Sequence, residues 1–163
     1  MANKNKNKGK AFERQICEIL SKCFNLNFQR VPNSGAFVGG LNIQRYDKLT
    51  EEQRLLADGD IIVPKELSHI SMECKSYKDF SFSSLFFGKN ALLDGWIKQS
   101  IETKKQKWIL FFKINNKGIF VVYDINLFSK EMQKDNYIIY KNQYLIQSAE
   151  EFLDKNKNRL YEK

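Results

Sequence analysis

The sequence predicts a single mixed α/β domain, an α+β sheet packed with helices. Two segments repeat apolar residues at helical spacing, several short apolar runs have the composition of strands, and no linker or internal repeat divides the 163 residues. A chain of this length can build one real core.

The opening "MANKNKNKGK" is low in complexity and holds four lysines. Residues 1–8 are expected as a flexible basic arm and residues 9–163 as the folded domain. From Gly9 to Phe24 the positions Phe12, Ile16, Ile19, Leu20 and Cys23 recur every three or four residues, which predicts an amphipathic helix with Glu13 beside its apolar face. A short strand at 28–31 runs into "VPNSGAFVGG", where proline and glycines predict a loop. Residues 36–57 read as an insertion, with Thr50 and Gln53 forming a capping-box pattern ahead of a short helix at 51–56. Apolar runs at 60–63 and 69–75, divided by a Pro-containing turn, predict an antiparallel hairpin. Leu92, Leu93, Trp96, Ile97 and Ile101 predict a second helix over 89–106, its apolar stripe turned to the core. "WILFFKI" and "IFVVYDI", joined by "NNKG", predict a buried hairpin. Strands at 137–140 and 144–146 precede a terminal helix marked by Ser148 and Glu151. The order is helix, β-hairpin, helix, strands.

Composition excludes several classes. Apolar residues are 42% of the chain, with 13 Phe and 7 Tyr, too much packing material for a disordered protein. Five-residue apolar runs are too short to cross a bilayer, so no membrane partner is expected. Glu13, Arg14 and Glu18 stand where a secretory leader needs an apolar core. Cys17, Cys23 and Cys74 are odd in number and without zinc-type spacing, and His69 is the single histidine. They suit a reducing cytoplasm as small core residues. The net charge of +8 favours a polyanionic partner. Four of those charges lie in the first ten residues, so the arm, through Lys8 and Lys10, reads either as phosphate-contacting or as a solubilising tail.

Chemistry is concentrated in "ADGDIIVPKELSHISMECKSY". Along a strand, Ser71, Glu73 and Lys75 share one face, and a turn near Glu66 sets Asp60 almost opposite Met72 and Glu73. Two carboxylates, with waters and a main-chain carbonyl such as that of Cys74, are the hard oxygen set a partly hydrated magnesium ion takes. A lysine at its edge orients water and stabilises charge on phosphate. This predicts metal-assisted phosphodiester hydrolysis. The competing structural reading is a Glu-x-Lys ion pair on a solvated strand.

These residues resemble the PD-(D/E)xK nuclease superfamily, and within it the Holliday junction resolvases of archaea and their phage counterparts. "KGKAFERQICEIL" is similar to the family's first helix, "QRVPNSGAF" to its arginine and Ser-Gly loop, "GDII" with "MECKS" to its metal-binding hairpin, and "WIKQS" to the helix that follows. The resemblance implies a restriction-endonuclease-like core. It implies that Asp60 and Glu73 bind the metal, Lys75 serves the water and Glu13 assists either. Arg30 and Ser34 would hold phosphate, and Gln99 would support the site; each is also open to an ordinary surface role. About 25 residues separate the Ser-Gly loop from Asp60, a departure from the archaeal pattern. That insertion, with Arg45, Lys48 and Arg54, is either a DNA-contacting flap or a passive excursion. The expected protein is a Mg2+-dependent DNA endonuclease, with Mn2+ able to substitute. It is expected to work as a homodimer on branched DNA in the cytoplasm, including that of a phage host. The alternatives are a restriction-like or repair endonuclease on duplex DNA, and a non-catalytic nucleic-acid-binding protein of the same fold.

Overall fold

The computed structural model describes residues 4–32, 58–103, 105–128 and 136–161. Ser34, Arg45 and the 36–57 insertion, with its expected helix at 51–56, lie outside the described residues.

Helix α1 spans Lys4–Phe24 and buries the stripe that periodicity marks, with Phe12, Ile16 and Leu20 all but inaccessible. It begins five residues before the expected start at Gly9, so Lys4 to Lys8, expected in the flexible arm, belong to the helix. Extending a helix from a packed nucleus costs little once the first turns are formed, and lysine propagates it well.

Strand β1 (Gln29–Arg30) follows and pairs antiparallel with β2 (Ile61–Ile62), Arg30 opposite Ile61. The hairpin expected between 60–63 and 69–75 does not form. Strand β3 (Ile70–Tyr77) instead pairs in parallel with β4 (Lys107–Ile114), Glu73 opposite Leu110. After Pro64 the connection coils into a 3-10 turn, Lys65–Leu67, whose Leu67 is fully buried. That buried turn takes up the chain that a hairpin ladder would need. One element of the expected geometry survives, because the Asp60 amide donates to the Met72 carbonyl at 2.9 Å.

Parallel strands need a crossover, and helix α2 (Ala91–Ile101) supplies it between β3 and β4. The expected hairpin at "NNKG" is present: β4 turns into β5 (Gly118–Asp124) through Asn116, at φ +59°, and Gly118, at φ +112°. Strands β6 (Ile138–Tyr140) and β7 (Tyr144–Ser148) complete a five-stranded mixed sheet of order β3-β4-β5-β7-β6. The terminal helix α3 (Ala149–Asn156) is capped by Ser148, whose hydroxyl accepts from the Glu151 amide at 3.2 Å. The Glu151 carboxylate accepts from Lys155, one turn on, at 2.8 Å.

The sheet divides two apolar layers. Met72, Cys74, Ile109, Phe111, Val121 and Leu145 pack with α1 and α3, while Leu110, Phe112, Val122 and Ile146 pack with α2 through Leu93, Trp96 and Ile97. β4 is covered on both faces, which is why it reads as an unbroken apolar run. Among the described residues, no helix is long and apolar enough to cross a membrane.

The start of α2 is fixed by polar contacts. Asn90 caps it by accepting from the Leu93 amide at 3.0 Å, and the Asn90 amide donates to the hydroxyl of fully buried Tyr140 at 3.0 Å. That hydroxyl donates onward to Asp94 at 2.9 Å. Tyr140→Phe keeps the ring and removes the acceptor of a buried N–H. It is expected to cost about 1–3 kcal/mol, read as a lower urea midpoint at unchanged slope. An unchanged midpoint would show that the hydroxyl does not anchor the helix.

Candidate active site

The site grows from the outer edge of β3, which among the described residues has a ladder partner on one side only. An open edge leaves main-chain donors and acceptors to be satisfied. Here side chains and a loop do it. Lys105 Nζ donates to the Ile70 carbonyl at 3.2 Å, the Asp60 amide to the Met72 carbonyl, and the Cys74 amide to Asp60 Oδ2 at 2.9 Å. Asp60 is held from behind as well, its carbonyl accepting from the Val31 amide at 2.9 Å. Ile70, Met72 and Cys74 direct their peptide groups to the same side, because peptide orientation alternates along a strand, so the Cys74 carbonyl shares the edge with the Asp60 carboxylate.

Gly59 makes the approach possible. Its φ is +88°, and a Cβ there would sit 2.8 Å from the Met72 carbonyl oxygen and 3.0 Å from Ser71 Oγ. A side chain at that position would push the loop, and Asp60 with it, away from β3. Gly59 is not among the site residues expected from the sequence. Its signal was the glycine directly before the acid in "DGDII".

Glu73 projects from the other face of β3 and is 6% exposed, so the solvated-strand reading of Glu-x-Lys does not hold. Its Oε2 accepts from Lys75 Nζ and from Gln99 Nε2, each at 3.3 Å. Gln99 reaches it from α2. The Asp60 carboxyl is within hydrogen-bonding reach of Glu73. Burial pushes the Glu73 carboxyl up to about 8; the charge of Asp60 adds to that and Lys75 opposes it. Glu13, on the inner side of α1, is paired with Arg30 Nε of β1. Its side chain is 12% exposed, and a freely solvated helix residue is therefore excluded. Burial raises the Glu13 pKa, as does Asp60, while Arg30 and Lys75 lower it, so the five charges form one electrostatic group.

The structure thus brings together Glu13, Arg30, Asp60, Glu73, Lys75, Gln99 and the Cys74 main chain. The Cys74 thiol points into the core layer, where burial holds its pKa well above the usual range, leaving its carbonyl as the group offered to the site. Lys10 lies on α1 one turn before Glu13. Lys8 lines a cavity of about 410 Å3 with Ser76, Tyr77 and Lys78, at the end of β3 just beyond Lys75.

The donor chemistry fits a hard dication. Two carboxylates and a carbonyl are oxygen ligands, and the crowding of Asp60 on Glu73 is relieved by positive charge between them. Among the described residues, no cluster of three or more His, Cys, Asp or Glu side chains is arranged to hold a metal. Water and main-chain oxygen would complete the coordination.

Comparison with known proteins identifies a family. A family model described as "Phage putative PDDEXK endonuclease" matches residues 4–160. Protein D14 of Escherichia phage T5 is 34% identical over 120 residues, 69% of this chain. The match spans 66% of that relative's length. No solved structure matches the chain.

Two outcomes follow from the geometry. A carboxyl whose folded pKa lies above its unfolded value stabilises the fold below the unfolded pKa, and that contribution is lost as pH rises through the folded one. In chelator, thermal stability should therefore fall between about pH 4.5 and 8 because of Glu73, and Glu73→Gln should remove most of this fall. An identical pH profile in the variant would place the titration elsewhere. Gly59→Ala should keep the far-UV circular dichroism while weakening calorimetric binding of a divalent cation at least tenfold. Wild-type cation affinity would remove Gly59 from the positioning of Asp60.

Proposed function

This chain belongs to the phage PDDEXK endonuclease family, and from that premise we propose that it is a magnesium-dependent, structure-specific DNA endonuclease, a homodimer that resolves four-way junctions. Nuclease activity is the family's. The observation that supports metal-assisted cleavage is the convergence of Asp60, Glu73 and Lys75 at β3, and the junction reading rests on the resemblance carried by "KGKAFER", "PNSG", "GDII" and "MECK". A non-catalytic DNA-binding protein gains nothing from two buried carboxylates turned toward phosphate.

The roles follow from the contacts. Asp60, Glu73 and the Cys74 carbonyl would hold a divalent cation, Mg2+ or Mn2+, which when bound would supply charge neutralisation at the scissile phosphate and acidify water. Lys75 Nζ, set beside the Glu73 carboxylate, donates to the attacking water and stabilises charge growing on a non-bridging phosphate oxygen. Gln99 fixes the Glu73 carboxylate. Glu13 orients Arg30 through Nε, leaving the other guanidinium donors for phosphate. Ser34, Lys8, Lys10 and Arg45 are assigned to phosphate contacts along the DNA. Two symmetric cuts across a branched junction require two sites related by a two-fold axis, hence the homodimer.

Asp60→Asn and Glu73→Gln are each expected to lower cleavage by several orders of magnitude and leave DNA binding within a few fold, since a neutral amide is a poor ligand for a hard cation. Wild-type turnover in either variant would remove that residue from the site. On a supercoiled cruciform, wild type should make paired nicks and cut linear duplex of the same sequence far less. Mixing in Lys75→Ala should accumulate singly nicked circles in proportion to the mixture. A monomer, or equal cutting of both substrates, would leave a metal nuclease that is not a resolvase.

A further inference from the structure

The chain between β3 and α2 displays two phenyl rings to solvent on a rigid support. In the 3-10 turn Ser83–Phe87, Leu85 is 2% exposed, whereas Phe86 and Phe87 are 79% and 76% exposed. The turn is tied down on both sides. Ser84 Oγ donates to the Ser81 carbonyl at 2.6 Å, Asn90 Nδ2 donates to Ser84 Oγ at 2.9 Å, and Gly88, at φ +62°, closes the turn with its amide on the Leu85 carbonyl at 3.0 Å. Phe80 and Phe82, just before it, pack against Trp96 and Phe120. The rings of Phe86 and Phe87 are thus held outward by an ordered frame.

Beside the same turn lies a cavity of about 600 Å3 lined by Ser84, Lys78, Lys89 and Lys117, with Asp79 as its single acid. The exposed Lys78–Asp79 pair, at 4.0 Å, neutralises little of that charge. Exposed aromatic faces next to a lysine-lined hollow match the two halves of a nucleotide, stacking for the base and cations for the phosphate. A second copy of the chain fits less well, because a two-fold contact through this patch would bring the lysine clusters together.

We infer that Phe86 and Phe87, with Lys78, Lys89 and Lys117, form a platform for unpaired nucleotides of the DNA substrate. The inference rests on reading the chain as a DNA endonuclease and adds a specificity surface to it. Asn90 caps the start of α2 and Gln99 meets Glu73 near its end, so the platform lies at the opposite end of the helix from the candidate metal site. DNA with an unpaired segment near the cut is therefore the favoured ligand.

The test is equilibrium binding of the full chain in chelator, so that no cleavage intervenes, to a paired duplex and to the same duplex with a four-nucleotide single-stranded gap carrying 2-aminopurine. Phe86→Ala/Phe87→Ala should weaken gapped-DNA binding at least tenfold, change duplex binding less than twofold and abolish quenching of the 2-aminopurine. Lys78→Gln/Lys89→Gln/Lys117→Gln should weaken both ligands and flatten the salt dependence. Equal or absent losses for the phenylalanine variant would overturn the platform. So would a shift from dimer to monomer in sedimentation with uniform loss on both ligands, which would assign the rings to self-association. Retained gap binding through the rings in a protein that cuts no four-way junction would sink the resolvase reading alone.

Discussion

The outer edge of β3 is the constraint on which the site depends. It is closed by an aspartate instead of another strand: Asp60 meets it through its amide to Met72 and through its carboxylate to Cys74. A strand in that place would use every main-chain group in a ladder. A two-point clamp by one residue satisfies the edge while leaving a carboxylate oxygen and a peptide carbonyl side by side. The clamp needs backbone to lie nearly in contact with backbone, which is why the preceding residue is a glycine with positive φ.

The same clamp sets the electrostatics. By bringing Asp60 against buried Glu73, it creates a charge conflict that Lys75 and Gln99 only partly answer. Burying like charges together opposes stability, and such arrangements persist where a bound cation resolves them. Glu13 and Arg30 form the outer ring of this group, coupling α1 and the small β1-β2 sheet to the same edge. Five charged side chains, four from three elements and Asp60 from the loop before β2, therefore respond to one another, and the fold holds them in register through apolar contacts made elsewhere.

Helix α2 links this edge to the rest of the molecule. As the crossover between two parallel strands, it must lie along the sheet, with its start capped by Asn90 and Gln99, near its other end, on Glu73 of β3. Trp96 packs on Tyr77 and Phe112 midway, so the helix cannot slide without disturbing the second core layer. The display turn at its start and the carboxylate at its end are thereby placed at a fixed separation.

Local sequence was enough for most of the helices and strands and for the candidate acids. The spacing of Phe12, Ile16 and Leu20 and the turn at "NNKG" are properties of a few neighbouring residues, and they appear in the fold as read. "GDII" and "MECKS" carried the resemblance to PD-(D/E)xK nucleases because the chemistry needs those residue types within a short stretch. The pairing of strands was not legible. A two-residue β2 gives no register of its own, and whether β3 joins β2 or β4 depends on which faces α1 and α2 cover, a choice made by contacts far apart in the chain. For the same reason, burial of Glu73, the Glu13–Arg30 pair and the reach of Gln99 belong to tertiary structure. A carboxylate's neighbours in space are set by packing, and packing joins residues that the sequence lists dozens of positions apart.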